Sequence, residues 1–284
     1  MAAGLAGIID LPASAQSRED HRRALESLAI EADAFDKSAH RVAGIETLRQ
    51  TLPRGSQVVR NRRGVQTVLP ERTREIVSEY GFVALDERGG WLKEARIVVA
   101  VDGATWKKGN KGLETLARTL SANDEKKKRS LLEGFEDFGL QGFITDLGQL
   151  ILLFARGLLQ NYELTYEFKE PSPAGDVWVY RYSQLSGSDA MTIYEAKVPI
   201  KVQLRGRVWI RAKDYVPVQI SVESERPVKD LIVHDISVVQ YEKSSFGFVL
   251  PSRITHEQFV NRNLFVKDEF VYSDFKELVS GSPR

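Results

Sequence analysis

The chain has 284 residues, 42% hydrophobic and 28% charged, the proportions of a soluble globular protein of one large domain or two ordinary ones. Forty Lys and Arg against thirty-nine Asp and Glu leave a charge of +1, so no overall field draws the molecule to nucleic acid or an acidic membrane surface. The absence of cysteine excludes disulfides, thiolate metal sites, iron–sulfur clusters, cysteine nucleophiles and a lipidated N-terminal cysteine.

Residues 2–11 are mostly apolar, and Pro12 is followed by Ala13-Ser14-Ala15-Gln16. An apolar stretch, a helix breaker and small residues at alternate positions form an A-x-A cleavage signal. Residues 1–15 are therefore expected to be the remnant of a signal peptide, and residues 16–284 a single exported domain, soluble and monomeric. Asp10 interrupts the stretch and no Lys or Arg precedes it, which a start codon further upstream would explain. The alternative is a plain disordered or helical tail. No other segment has the ~18–20 apolar residues of a membrane span; the best, 147–159, contains Arg156.

Leu25, Leu28, Ala32, Phe35, Ala39 and Val42 recur at spacings of three and four, which predicts an amphipathic helix over 18–41. Residues 42–52 fit either a last helical turn or a first strand. Pro53-Arg54-Gly55-Ser56 and the Arg-rich piece after it read as a loop. Segments 74–85 and 91–101 then form a hairpin around Asp86-Glu87-Arg88-Gly89-Gly90. From 113 to 160 the period changes to that of a helix. Leu113, Leu116, Ala117 and Leu120 mark one helix, and Leu131, Leu132, Phe135 and Phe138 a second, capped by Asp124. Thr145 or Asp146 is placed to cap a third, 146–159, which is apolar almost all round and demands enclosure by a sheet.

Beyond residue 162 strand follows strand. Tyr162, Leu164, Tyr166 and Phe168 alternate with polar residues, as do Trp178, Tyr180 and Tyr182. In 200–211 Ile200, Val202, Leu204, Gly206, Val208 and Ile210 take one face; after Ala212-Lys213-Asp214, Val216, Val218, Ile220 and Val222 resume it. A turn at 212–214 would set Ile210 opposite Val216, Arg207 opposite Gln219 and Lys201 opposite Glu225. Further strands fall near 231–241, 252–260 and 264–275. Short connections make the sheet antiparallel. The fold class is α+β: a large curled antiparallel sheet, an unclosed half-barrel, with helices packed in its concave face and a helical lid block at about 113–160.

Motifs of catalysis are missing. Gly139, Gly142 and Gly148 do not form a phosphate loop, Ser186-Gly187-Ser188 is a turn rather than a nucleophile elbow, and His256-Glu257 lacks the second histidine of a zinc helix. A two-histidine site from His234 and His256 on neighbouring strands is conceivable, ordinary strand histidines being the commoner case. No cofactor or metal is expected, and no enzyme activity. The aromatic set is more suggestive. Tyr162, Tyr166, Phe168, Trp178, Tyr180 and Tyr182, with Leu150 and Phe154 of the apolar segment, could line a cavity for a hydrophobic ligand. Equally, they could simply pack on the buried helix.

Several stretches together resemble a known family. They are Glu75-Ile76-Val77-Ser78-Glu79-Tyr80-Gly81-Phe82, the apolar 146–159 segment, and Gly206-Arg207-Val208-Trp209-Ile210 leading into Val216-Pro217-Val218-Gln219-Ile220. Leu250-Pro251 and Tyr272-Ser273-Asp274-Phe275 complete the pattern. Over residues 20–276 the layout is similar to the LolA/LolB-like periplasmic lipoprotein carriers and receptors. The resemblance implies an unclosed antiparallel barrel lidded by helices, a cavity for acyl chains, and no catalytic residue. The chain departs from a typical carrier in its length and in the extra helical block at 113–138. The expectation is a periplasmic or secreted binding protein whose partner is a lipid or acylated protein, not nucleic acid. The rival is an envelope interaction module whose cavity is filled by its own helix.

Overall fold

The fold was analysed in a computed structural model, which describes residues 15–60, 66–84, 92–106, 116, 138–142, 144–173, 175–187, 192–195, 198–201 and 203–278. Helix α1 (Ala15–Ser38) runs through a 3-10 turn (Ala39–Arg41) into β1 (Val42–Leu52). Then come β2 (Val58–Arg60), β3 (Gln66–Val68), β4 (Arg72–Ala84), β5 (Leu92–Val101) and β6 (Ala104–Thr105). Two 3-10 turns, Leu150–Phe154 and Leu159–Asn161, precede β7 (Tyr162–Glu170) and β8 (Val177–Gln184). The chain continues with β9 (Thr192–Glu195), β10 (Val198–Lys201), β11 (Arg205–Arg211), β12 (Pro217–Val228), β13 (Leu231–Lys243), β14 (Val249–Val260) and β15 (Asn263–Glu277).

Eleven strands form one antiparallel sheet in the order β6-β5-β4-β1-β15-β14-β13-β12-β11-β8-β7. It is a meander whose first long strand and last strand pair at its centre. Strands β6 and β7 stand at opposite edges, so the sheet remains an unclosed half-barrel. Strands β9 and β10 make a separate hairpin, as do β2 and β3.

One row of residues defines the concave face. Val101, Ile76, Leu48, Phe270, Ile254, Val239, Ile220, Val208, Tyr180 and Tyr166 follow one another in register from β5 to β7. All ten belong to or pack on the main core. A belt of this width must be covered, because each large apolar side chain gains ~1.5–3 kcal/mol on leaving water. The α1 stripe Ala24, Leu28, Ala32, Phe35 and Ala39 supplies one cover, with Phe35 edge-on to Phe82 at 5.0 Å. The other is the segment 147–154, in which Leu147, Leu150, Ile151, Leu152, Leu153 and Phe154 are all buried.

Two sequence expectations change here. The 146–159 helix is instead an irregular strap with a 3-10 turn at Leu150–Phe154. Asp146 has φ 65°, the amides of Asp146, Gly148 and Ile151 go to side chains of the sheet, and those of Leu150, Leu152 and Ala155 reach back only three residues, so no run of α-helical bonds forms. An all-apolar run does not distinguish a buried helix from buried coil. The β11–β12 register differs as well: Val208 faces Ile220, Trp209 faces Gln219, and Ile210 faces Pro217 rather than Val216. The turn is one residue longer than expected, with Tyr215 at φ 59° and a bulge between Trp209 and Ile210. Over Arg205–Trp209 the shift is two residues, so the apolar face is preserved. Lys201 lies on β10, outside the main sheet, and does not face Glu225. Finally, residues 107–115 and 117–137, where two helices were expected, lie outside the described residues. Helical Leu116 is buried on the convex face, against Ala43, Val83 and Ala95. The signal-peptide remnant, residues 1–14 of it, also falls outside them.

Candidate functional site

The aromatic residues singled out from the sequence separate into two layers and one outlier. Tyr180 and Tyr182 on β8 are fully buried, beside Leu150 and Phe154 of the strap. The Phe154 ring meets Tyr182 edge-on at 5.1 Å and Tyr162 at 5.8 Å, and the Tyr182 hydroxyl donates to the Ser221 carbonyl at 2.8 Å. Gly206 makes that bond sterically feasible, since a Cβ there would stand 2.0 Å from the Ser221 oxygen and 3.0 Å from the Tyr182 ring. Burial pushes the Tyr162 hydroxyl up to about 12, so these phenols are neutral packing groups with one polar tip. Tyr166 and Trp178 form a half-buried rim. Phe168 leaves the group: the bulge at Glu167 sets Phe168 opposite Val179, on the other side of the sheet from Tyr180, and 42% exposed. Strict alternation could not anticipate a one-residue insertion.

Helix α1 closes the rim. His21 lies 4.4 Å from the Tyr166 ring and 5.3 Å from Trp178, and its Nδ1 is hydrogen-bonded to the Tyr180 hydroxyl at 2.6 Å. Burial pulls the His21 pKa below its ordinary value, which keeps the ring neutral among aromatic faces. Tyr215 stacks on Trp178 at 5.6 Å and donates to Asp20 at 3.2 Å. Further along the helix, Glu31 pairs with Lys243 and Asp33 with Arg156.

Beside the apolar belt run two sets of buried polar groups that periodicity did not single out. In the first, Arg96 makes a two-point ion pair with Glu46, both bonds 2.7 Å, and a third bond of 2.7 Å to Glu94. Its guanidinium also lies 5.2 Å from the Tyr80 ring centre. Glu94 accepts from the Tyr80 hydroxyl at 2.8 Å and from the amides of Asp146 and Gly148 at 2.7 Å each. Asp146 answers by accepting from the Glu94 amide and from Lys93, both at 2.9 Å. A Cβ on Gly148 would come within 2.5 Å of the Tyr80 hydroxyl and 2.7 Å of Glu94. Burial raises the Glu46 pKa, against the opposing pull of Arg96.

In the second set His256 lies between two carboxylates, Asp268 at 2.9 Å from Nδ1 and Asp235 at 3.1 Å from Nε2. Arg226 pairs with Asp235, and Gln258 donates to it at 2.8 Å. Gln50 donates to Asp268 at 2.8 Å. Burial alone would lower the His256 pKa, but the hydrogen bonds and charges of Asp235 and Asp268 outweigh it and raise the pKa to about 9. For Asp235 burial pulls upward, and the bonds from His256 and Gln258 with the Arg226 charge hold the group below its usual range. Two carboxylates, one imidazolium and one guanidinium sum to zero, which a buried cluster requires. His234 points to the opposite face and packs on Phe259 at 6.1 Å, so no two-histidine site exists. Among the described residues no cluster of His, Asp and Glu has metal-binding geometry. One signal in the sequence would have found this set. Gln50, Asp235, His256 and Asp268 each stand two or four residues from Leu48, Val239, Ile254 and Phe270, on the apolar parity of their strands.

A separate pocket of 280 Å³ opens across the sheet from the aromatic layer, at the β1–β4 end, lined by Leu52, Leu69, Pro70 and Arg72. No helix among the described residues is long and apolar enough to cross a membrane.

No family model matches the sequence, and no curated protein matches it. Two solved structures resemble the chain in layout. One is a "putative outer membrane lipoprotein-sorting protein domain" from Vibrio parahaemolyticus, 12% identical, with a TM-score of 0.36 over 92% of this chain and 94% of that one. The other is a DUF1329 family protein from Desulfovibrio piger, 11% identical, with a TM-score of 0.37 over the same shares.

Proposed function

We propose that the protein is an exported carrier of a hydrophobic ligand, a lipid or the acyl chain of a lipoprotein, in the bacterial envelope. One observation carries this reading: among the described residues the ten-strand apolar belt of an open sheet is covered by one helix and one strap, not by a second sheet. A cover of separate pieces can be displaced without breaking the strand ladder. The half-buried rim of Tyr166, Trp178 and Tyr215 around His21 is where an incoming chain would first meet apolar surface. In this reading the protein binds and does not catalyse.

The second reading, an interaction module filled by its own chain, draws support from the complete burial of Phe154, Tyr180 and Tyr182. Phe154→Ala separates the two. In a permanently dry core the truncation costs about 3–5 kcal/mol; over a space that a ligand enters, the loss is smaller and uptake persists. The assay is a urea melt of parent and variant beside saturable uptake of a fluorescent fatty acid, with native mass spectrometry of the purified parent for co-purified lipid. Severe destabilisation with no uptake by either protein and no lipid would sink the carrier and leave the interaction module.

A further inference from the structure

The strap, taken with the residues 138–142 and 144–145 that lead into it, is held by its backbone. Arg74 donates to the Phe138 carbonyl. The Gln50 carboxamide binds both backbone groups of Gln141, accepting from its amide at 2.9 Å and donating to its carbonyl at 3.0 Å. Glu94 takes the amides of Asp146 and Gly148. Tyr241 accepts from the Ile151 amide at 3.0 Å and donates to the Gly148 carbonyl at 3.2 Å. Four side chains, from β4, β1, β5 and β13, thus read seven backbone groups of residues 138–142 and 144–151. Strap side chains contribute little to this polar contact: Asp146 alone is hydrogen-bonded to the sheet among the described residues. The remainder, from Leu147 to Phe154, is apolar and sinks into the belt.

Side chains that bind the amides and carbonyls of a chain they do not pair with as a strand recognise polypeptide irrespective of sequence, while apolar pockets add a coarse preference. A fatty acyl chain has nothing for Arg74, Gln50 or Tyr241 to bind. Removing the strap in favour of such a ligand would leave several buried donors and acceptors unpaired, which folded proteins rarely tolerate. A second polypeptide segment would satisfy them all. We infer that the concave face is a groove for an extended, apolar-rich polypeptide segment, and that the strap is its resident occupant in cis. The inference rests on the proposal that the cover of the concave face can be displaced. It changes the ligand class, from an acyl chain to the peptide itself.

The test uses the full-length chain and a fluorescein-labelled synthetic peptide with the sequence of residues 138–155. Two variants weaken the resident strap while Arg74, Gln50, Glu94 and Tyr241 are kept; Asp146→Gly leaves all four uncrowded, and Gly148→Ala presses on Glu94 and serves as the second variant. Asp146→Gly removes the strap's carboxylate at a left-handed position that suits glycine. Gly148→Ala places a methyl against Tyr80 and Glu94. Circular-dichroism melts establish that each variant is folded; if Gly148→Ala does not fold, Asp146→Gly decides alone. Fluorescence polarisation should show the peptide binding both folded variants roughly tenfold more tightly than the parent, because the competing occupant is weakened. A peptide N-methylated at the Gln141 and Asp146 nitrogens, which cannot donate to Gln50 or Glu94 while the resident strap is unaltered, should lose that gain. Polarisation that is the same for parent and folded variants overturns the inference, as does equal binding of the N-methylated peptide. Fatty-acid uptake is measured on the same samples. Uptake without peptide capture overturns the groove and leaves the lipid carrier standing; peptide capture without uptake supports the groove and removes the lipid.

Discussion

Raising the pH should loosen this protein through one residue. His256 is fully buried between Asp235 and Asp268, and its pKa stands at about 9 against an ordinary 6.5. Below 6.5 the imidazole is charged in both folded and unfolded chains, and its stabilisation is complete. Between 6.5 and 9 the folded protein keeps a proton that the unfolded chain has released, so stability falls with rising pH. The difference of about 2.5 pH units corresponds to about 3 kcal/mol at full extent. For a chain of this size that is a drop in Tm of roughly 6–12 °C. Glu79, pushed up to about 7 by burial, acts in the same direction, its contribution fading between 4.5 and 7. The interval from pH 7.5 to 9 therefore isolates His256. Asp235 works oppositely, its contribution present above the usual carboxylate range and lost on acidification through its depressed pKa. Thermal melts from pH 5.5 to 9.5 read the slope, and His256→Gln, less stable at neutral pH, should lose the fall between 7.5 and 9. A parent Tm that is flat or rising across that interval would refute a charged His256.

Two substitutions probe the remaining buried features. Arg96→Leu leaves Glu46 and Glu94 buried without their shared cation and should cost about 3–5 kcal/mol in a urea melt, whereas a loss below about 1 kcal/mol would refute the buried ion pairs. Gly206→Ala drives a methyl to 2.0 Å from the Ser221 carbonyl and should cost about 1–3 kcal/mol or more through displacement of Tyr182; an unchanged melt would show that β11 and β12 can part there freely.

Strands were legible where one face is buried and the other wet. Segments 231–241, 252–260 and 264–275 alternate cleanly and correspond to β13, β14 and β15. Strand β1 was ambiguous because its buried face carries Glu46 and Gln50 while Ile45 stands on the other, so burial alternates but hydrophobicity does not. Helix α1 was legible from a stripe that really does face the belt. The strap was misread because periodicity assumes that a segment bonds to itself. Its decisive partners, Glu94, Gln50 and Tyr241, lie 52 to 91 positions away in the chain. Phe168 was misplaced for a related reason: the Glu167 bulge is defined only by the pairing of β7 with β8.

The placement of the polar sets says more than their strength. Replacing a buried ionic cluster with apolar residues of similar size is often neutral or stabilising, so stability alone does not account for Arg96, Glu46 and Glu94 beneath a strap that could have packed on leucine. What the cluster adds is position. Glu94 accepts two amides two residues apart, and Gln50 binds the N–H and C=O of a single residue, so a slip of the strap by one residue would strand both. Apolar contacts in the belt tolerate such a slip far better, because Leu, Ile and Phe of adjacent positions fill comparable space. The two polar sets therefore fix the register of whatever backbone lies in the concave face, while the belt between them supplies most of the attraction. A surface divided in that way suits an occupant that is itself a peptide, with amides for Glu94 and Gln50 and apolar side chains for the belt.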